Sequence, residues 1–238
     1  MPNHVTNILT INGTPDQVKT IRDAISNKSK TDNILIDFEK IIAMPTAMQG
    51  IHSGYVTIDE VDYENWREVS KTTGKVILDS SGMDRDDIKN VGLTAAELRK
   101  LKKEYGATNW YDWNIAHWGT KWNAYDQADI QPNSFKFDTA WSTPMPVIEA
   151  LSTMFPDVTF EVDYADEDIG HNVGRYVFMD GKLLQQEEYS RSYTGFASAI
   201  KIKYNMSPLA YLDDRASDDP EYAKELAERY GIRYAGNA

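Results

Sequence analysis

The sequence predicts an α+β fold of the ferredoxin-like kind: an antiparallel sheet with helices on one face and an inserted helical subdomain. Two β-α-β passages and a tight hairpin signal carry that expectation. The first passage opens with a strand from Val5 to Ile11, where Val5, Leu9 and Ile11 share one face before the turn pair Asn12-Gly13. Thr14 then caps a helix, with Gln17 closing a capping box, Pro15 at its first position and Val18, Ile21 and Ile25 as its apolar stripe. Leu35 to Ala43 reads as a mostly apolar strand stopped at Met44-Pro45.

The second passage repeats this grammar. Phe135, Phe137, Thr139 and Trp141 alternate along a strand, and Thr143-Pro144 stops it. Ile148, Leu151 and Phe155 mark an amphipathic helix ending at Pro156, and Val158, Phe160, Val162 and Tyr164 a further strand. Arg175 to Met179 meets Asp180-Gly181, a two-residue hairpin turn, and returns through Lys182 to Gln186.

Between the passages, Asp59 to Lys71 and Thr94 to Tyr105 read as helices, the latter with a Thr94/Glu97 capping box and a stop at Gly106. Asp219-Pro220 opens a last helix with Tyr222, Leu226 and Tyr230 on one side. The expected organisation is residues 1–58 as the first β-α-β half and 59–108 as the helical insertion. Residues 109–190 hold the tryptophan-rich segment and second half, and 191–238 a C-terminal helical extension.

The chain has 238 residues, one to two domains at about 150 residues each. Its 25 Lys+Arg against 37 Asp+Glu give a net charge of −12, so no basic footprint for direct nucleic-acid binding is present. With no cysteine, disulfides, thiolate metal sites and thiol nucleophiles are excluded, and a reducing cytoplasm fits. No apolar run approaches the roughly 20 residues of a membrane span, and the opening MPNHVTNILTING lacks the basic and apolar regions of a signal peptide. A cytoplasmic protein without a membrane anchor is expected.

Four of the six tryptophans lie between Asn109 and Asp126. Helical spacing places Trp110, Trp113 and His117 on one face; from Trp118 the period turns to two, predicting a strand. These rings read first as a packing plate, because buried aromatics dominate core energetics. Left open, Trp110, Trp113, His117, Lys121 and Tyr125 would wall a stacking pocket for a nucleotide. The four histidines lack ligand spacing, and neither a serine elbow nor a phosphate-cradling glycine loop occurs, so no metal, cofactor or catalytic residue is expected. His117 and Asp112, five residues apart, do not share a helical face well, and His117 reads as structural.

The acidic excess concentrates at Asp84, Asp86 and Asp87, at Asp163, Asp166, Glu167 and Asp168, and at Asp213, Asp214, Asp218 and Asp219. Solvated loops are the plain explanation. The sharper one is a row of carboxylates imitating a nucleic-acid backbone toward a basic protein, with the first two clusters as the partner surface.

Met1-Pro2-Asn3-His4-Val5-Thr6-Asn7, Asp37-Phe38-Glu39-Lys40-Ile41-Ile42 before Met44-Pro45, Trp118-Gly119-Thr120-Lys121-Trp122-Asn123 and Phe137-Asp138-Thr139-Ala140-Trp141-Ser142-Thr143-Pro144 together resemble one family. It is the YubB-type group of phage and plasmid proteins with a ferredoxin-like domain, and the resemblance covers roughly residues 1–45 and 109–180. It implies a mobile-element accessory protein in a bacterial host cytoplasm and supplies no catalytic residues. The expected function is therefore non-enzymatic: binding and inhibiting a host, immune-defence protein complex, with an anti-CRISPR or anti-restriction role as candidates. The alternative is a sponge for a small nucleotide signal in the tryptophan pocket, and a third reading is a metal-dependent hydrolase with dispersed carboxylates.

Overall fold

The computed structural model describes residues 3–28, 33–49, 51, 67–69, 76–78 and 95–234. These fall into two compact units, one formed by Met1–Ile41 with Trp122–Ala238 and the other by Ile42–Lys121.

In the first unit, β1 (His4–Asn12) leads into α1 (Pro15–Ile25), whose Thr14/Gln17 capping box forms as its sequence predicts. The strand that completes this crossover is β6 (Tyr125–Gln131), about a hundred residues further on, followed by β7 (Ser134–Ala140), α4 (Met145–Met154) and β8 (Thr159–Asp166). A hairpin of β9 (Val173–Met179) and β10 (Lys182–Glu188) extends the sheet. The six strands lie in the order β10-β9-β8-β1-β7-β6, every neighbour antiparallel. The four central ones, β8-β1-β7-β6, are the fourth, first, third and second strands of a β-α-β-β-α-β unit, the ferredoxin-like arrangement. Asp180 and Gly181, with φ of 51° and 67°, make the predicted hairpin turn, both residues in the left-handed conformation that a right-twisted two-residue turn requires.

Leu35 to Ala43 is not a strand. After a two-residue ladder of β2 (Asn27–Lys28) and β3 (Asn33–Ile34), the chain makes a single 3₁₀ turn at Phe38–Lys40. The cause is side-chain competition for its backbone. Gln127 Oε1 accepts from the Leu35 and Ile36 N–H groups, both at 2.8 Å, and Gln127 Nε2 donates to the Ile36 carbonyl. Asn123 Oδ1 accepts from Phe38 N–H at 2.9 Å. The segment therefore lies along β6, held by glutamine and asparagine amides in place of a ladder.

One face of the sheet buries Val5, Leu9, Ile11, Phe135, Phe137, Phe160 and Val162, and α1 and α4 bring Val18, Ile21, Ile25, Val147, Ile148 and Leu151 against it. The opposite face receives an addition to the ferredoxin-like unit. Here α5 (Tyr193–Tyr204), α6 (Pro208–Asp218) and α7 (Pro220–Arg229) pack Phe196, Ile200, Leu212 and Leu226 with Ala165 and Val173 of the sheet. Asp219 caps α7 as predicted, and Tyr230 stacks on Phe196 at 4.6 Å, but Tyr222 points outward.

The second unit contains a three-residue ladder of β4 (Arg67–Val69) and β5 (Val76–Leu78), then α2 (Ala95–Tyr105) and α3 (Trp110–Trp118). Arg67–Val69 is thus extended where a helix from Asp59 to Lys71 was predicted; the rest of that segment lies outside the described residues. The predicted strand from Trp118 does not form either, because Gly119 at φ 76° ends α3 and the next strand starts at Tyr125. Among the described residues, no helix is long and apolar enough to cross a membrane.

Candidate functional site

The tryptophan segment is mainly packing. Trp113 and Trp118 are each 3% exposed and meet edge to face at 5.8 Å, and Trp118 Nε1 donates to the Ile42 carbonyl. His117 stacks on Trp113 at 4.2 Å with rings 10° apart, and its Nδ1–H donates to the Trp113 carbonyl. Helical i, i+4 spacing brings these two rings together, and in doing so covers the ring face a nucleotide base would need. Trp110 is half-buried and lies edge to face with Tyr111, while the Lys121 ammonium sits 5.8 Å from the Tyr111 ring centroid. Trp110, Trp113, His117 and Lys121 thus belong to one unit, and Tyr125 to the other.

The predicted acidic surface divides. Asp84, Asp86 and Asp87 lie outside the described residues. Asp163 accepts from Arg175 Nε at 2.7 Å and Nη2 at 3.2 Å, so its charge is matched across the β8–β9 pair. Asp166 is buried, accepting from Asn3 Nδ2, Asn172 Nδ2 and the Asp168 N–H, and serves to close the turn after β8. Of this cluster, Glu167 and Asp168 are exposed.

Around Tyr125 the fold assembles a polar cluster that sequence spacing did not reveal. Strand register sets Tyr125 opposite Asp138 and Asp138 opposite Thr6, one row across β6, β7 and β1. Directly opposed residues share a sheet face, and His4, two residues before Thr6, shares it too. His4 Nδ1 lies 2.7 Å from the Tyr125 hydroxyl. From α5, Lys203 Nζ donates to Thr6 Oγ1 at 3.4 Å, and the Thr6 hydroxyl bonds the Asp138 carboxylate. The β6–β7 pairing is irregular between Tyr125 and Ala128, and Asp126 stands there at φ 48°, a conformation uncommon outside glycine and asparagine-like residues.

The electrostatics of this cluster are uneven. Burial first, and then the carboxylates of Asp138, Asp126 and Glu167, push the Tyr125 hydroxyl up to about 12. Burial also raises Asp138 above the usual carboxylate range, outweighing the Thr6 hydrogen bond and the Lys203 charge that work the other way. Burial lowers Lys203 in spite of Asp138, Asp166 and Glu167 nearby. Four carboxylates thus surround two ammonium groups, Lys136 and Lys203, and Asp138 is left incompletely compensated in a half-buried position. Chemically the arrangement suits a cationic group carrying several N–H donors. Among the described residues, no three His, Asp or Glu side chains are placed to hold a metal ion.

Sequence reasoning singled out Tyr125 and Glu167 and missed His4, Thr6, Asp126, Asp138 and Lys203. The available signal was Asp138 itself, the one acid in a strand that also carries the buried Phe135 and Phe137.

No curated protein matches the sequence. The crystal structure of Api92 from Yersinia pseudotuberculosis aligns over 80% of this chain and 99% of that chain, at 11% identity and a TM-score of 0.38. Residues 117–196, which include all five strands from β6 to β10, match the family model described as the ferredoxin-like domain in Api92-like protein.

Proposed function

We propose that the protein is a binding protein whose carboxylates around Tyr125 receive Lys or Arg side chains of a basic partner protein. The observation that carries this reading is Asp138, a half-buried carboxylate whose negative charge its own neighbours, Lys203 and Thr6, do not fully offset. An arriving guanidinium supplies the missing positive charge and the donors that carboxylates accept in pairs. The net charge of −12 supports the same direction of attraction at longer range. The likeness to YubB-type phage and plasmid proteins supplies the biological setting: a mobile-element accessory protein in a bacterial cytoplasm that binds and inhibits a host defence complex, competing with nucleic acid for a basic surface.

The test is calorimetric titration of an oligo-arginine peptide at low salt. The triple variant Asp126→Asn/Asp138→Asn/Glu167→Gln should bind at least roughly tenfold more weakly than the wild type. A control removing as many exposed charges elsewhere, Asp218→Asn/Glu221→Gln/Glu228→Gln, should lose far less. Equal losses in the two triples would mean generic attraction and overturn the assignment. In host cells, a tagged chain should retain a basic protein that the first triple releases.

A further inference from the structure

Lys203 enters the carboxylate cluster from the helical layer. It stands in the last turn of α5, whose Phe196, Ala199 and Ile200 are buried in one cluster with Ala165 and Val173 of the sheet. The helix is therefore fixed, and the flexible four-carbon stem of the lysine is the part able to move. Its hold is slight. Among the described residues, Lys203 Nζ makes one hydrogen bond, to Thr6 Oγ1 at 3.4 Å, and no direct ion pair. That bond is longer than the roughly 3 Å usual between nitrogen and oxygen. Thr6 is buried, and its hydroxyl, which has a single proton, donates to Asp138 while accepting from the lysine. The ammonium thus reaches the Asp138 carboxylate only through a hydroxyl.

A second place for that ammonium lies close by. Besides Asp138, the carboxylates that act on Lys203 are Asp166 and Glu167. Asp166 already accepts from Asn3, Asn172 and the Asp168 N–H, whereas Glu167 is exposed. An arginine that bonds Asp138 directly brings a second positive charge beside the one at Thr6, and like charges at that range repel. The guanidinium is the stronger of the two, since its planar fork offers five N–H donors in carboxylate geometry against one long bond from a compact ammonium. Resting on the binding reading given above, we infer that Lys203 is the site's own placeholder cation, seated at Thr6 in the free protein and displaced toward Glu167 when a partner's guanidinium bonds Asp138. Lys136 stands one row further along the sheet and acts on Asp138 less than Lys203 does. The displacement sets the affinity threshold of the site, because an arriving cation has first to overcome the one in place.

Calorimetry with the oligo-arginine peptide and chemical labelling of lysines in the full chain test this together. Lys203→Met keeps an apolar stem, removes the competing charge and should bind the peptide at least about fivefold more tightly than the wild type. Lys201→Met, an exposed change on the same helix, measures the gain due to net charge alone, which should stay below about twofold. In the wild type, reductive methylation with formaldehyde and cyanoborohydride, read by mass spectrometry, should label Lys203 several-fold faster once the N-acetylated peptide is bound. The labelling needs no variant, so it decides even where Lys203→Met disturbs the fold. A Lys203 shielded by the peptide would overturn this inference. So would a Lys203→Met variant that gains no more than Lys201→Met while the two acidic triples still differ, and that result would leave the receiving carboxylates standing. Equal losses in the two triples would overturn both readings.

Discussion

Asp138 sets stability and binding against each other. Its carboxyl ionises at higher pH in the folded chain than in the unfolded one, so the folded state holds that proton more tightly. The resulting stabilisation is present at low pH and lost as pH rises through the folded-state value. Asp138→Asn imitates the protonated acid and should therefore unfold at a higher temperature than the wild type at pH 7. Thermal melts should show the gap closing below pH 3.8, the ordinary carboxyl value. Tyr125 offers a second readout at this scale. Its hydroxyl should titrate near 12, and the triple neutralisation should bring it back toward 10, as followed by NMR of ring-labelled tyrosine. That these residues meet was not legible in the chain: His4 and Tyr125 are 121 positions apart, and Thr6 and Lys203 are 197 apart. Spacing along a sequence registers neighbours within a few turns of one element, and the contacts that build this cluster run between β1, β6, β7 and α5. His117 was legible for the opposite reason, since its partner Trp113 is one turn away.

Elements with their own turn or cap chemistry were readable in order. The Thr14/Gln17 box, the Asp180-Gly181 turn and the Asp219-Pro220 start each use residues within four positions of one another. Leu35 to Ala43 shows what such reading misses. Its apolar run fits a buried strand, and Leu35, Ile36 and Phe38 are indeed buried, but the ladder is replaced by two amide side chains from beyond residue 120. Gln127→Ala should leave two buried N–H groups without acceptors and cost about 2–4 kcal/mol in chemical denaturation, with faster hydrogen exchange at Leu35 and Ile36. Gln127→Glu keeps the acceptor and should recover part of the loss. The helices α5 and α6 carry ordinary caps at Ser192 and Ser207, the signals by which the tail could have been divided from sequence.

At the scale of the whole molecule, the net charge acts on folding and on binding with opposite signs. Self-repulsion among like charges opposes the compact state, and the exposed ion pairs, such as Lys19–Asp23 and Arg229–Glu225, offset little of it. Raising ionic strength from low salt to about 0.5 M should thus raise the melting temperature while weakening the oligo-arginine complex, because the Debye length shrinks below the separation of these charges. A melt that falls with salt would mean that attractive pairs dominate. The position of β1 has a further consequence. It is the first of the six strands in chain order, and its partners β7 and β8 end only at Ala140 and Asp166. At about 5–20 residues per second, a ribosome needs roughly 8 to 30 s to make the intervening chain. During that time Val5, Leu9 and Ile11 have no sheet to enter. Synthesis arrested before Thr159 should accordingly yield a nascent chain that is cleaved at β1 by added protease and retained by a chaperone, with protection appearing only after β8 has emerged.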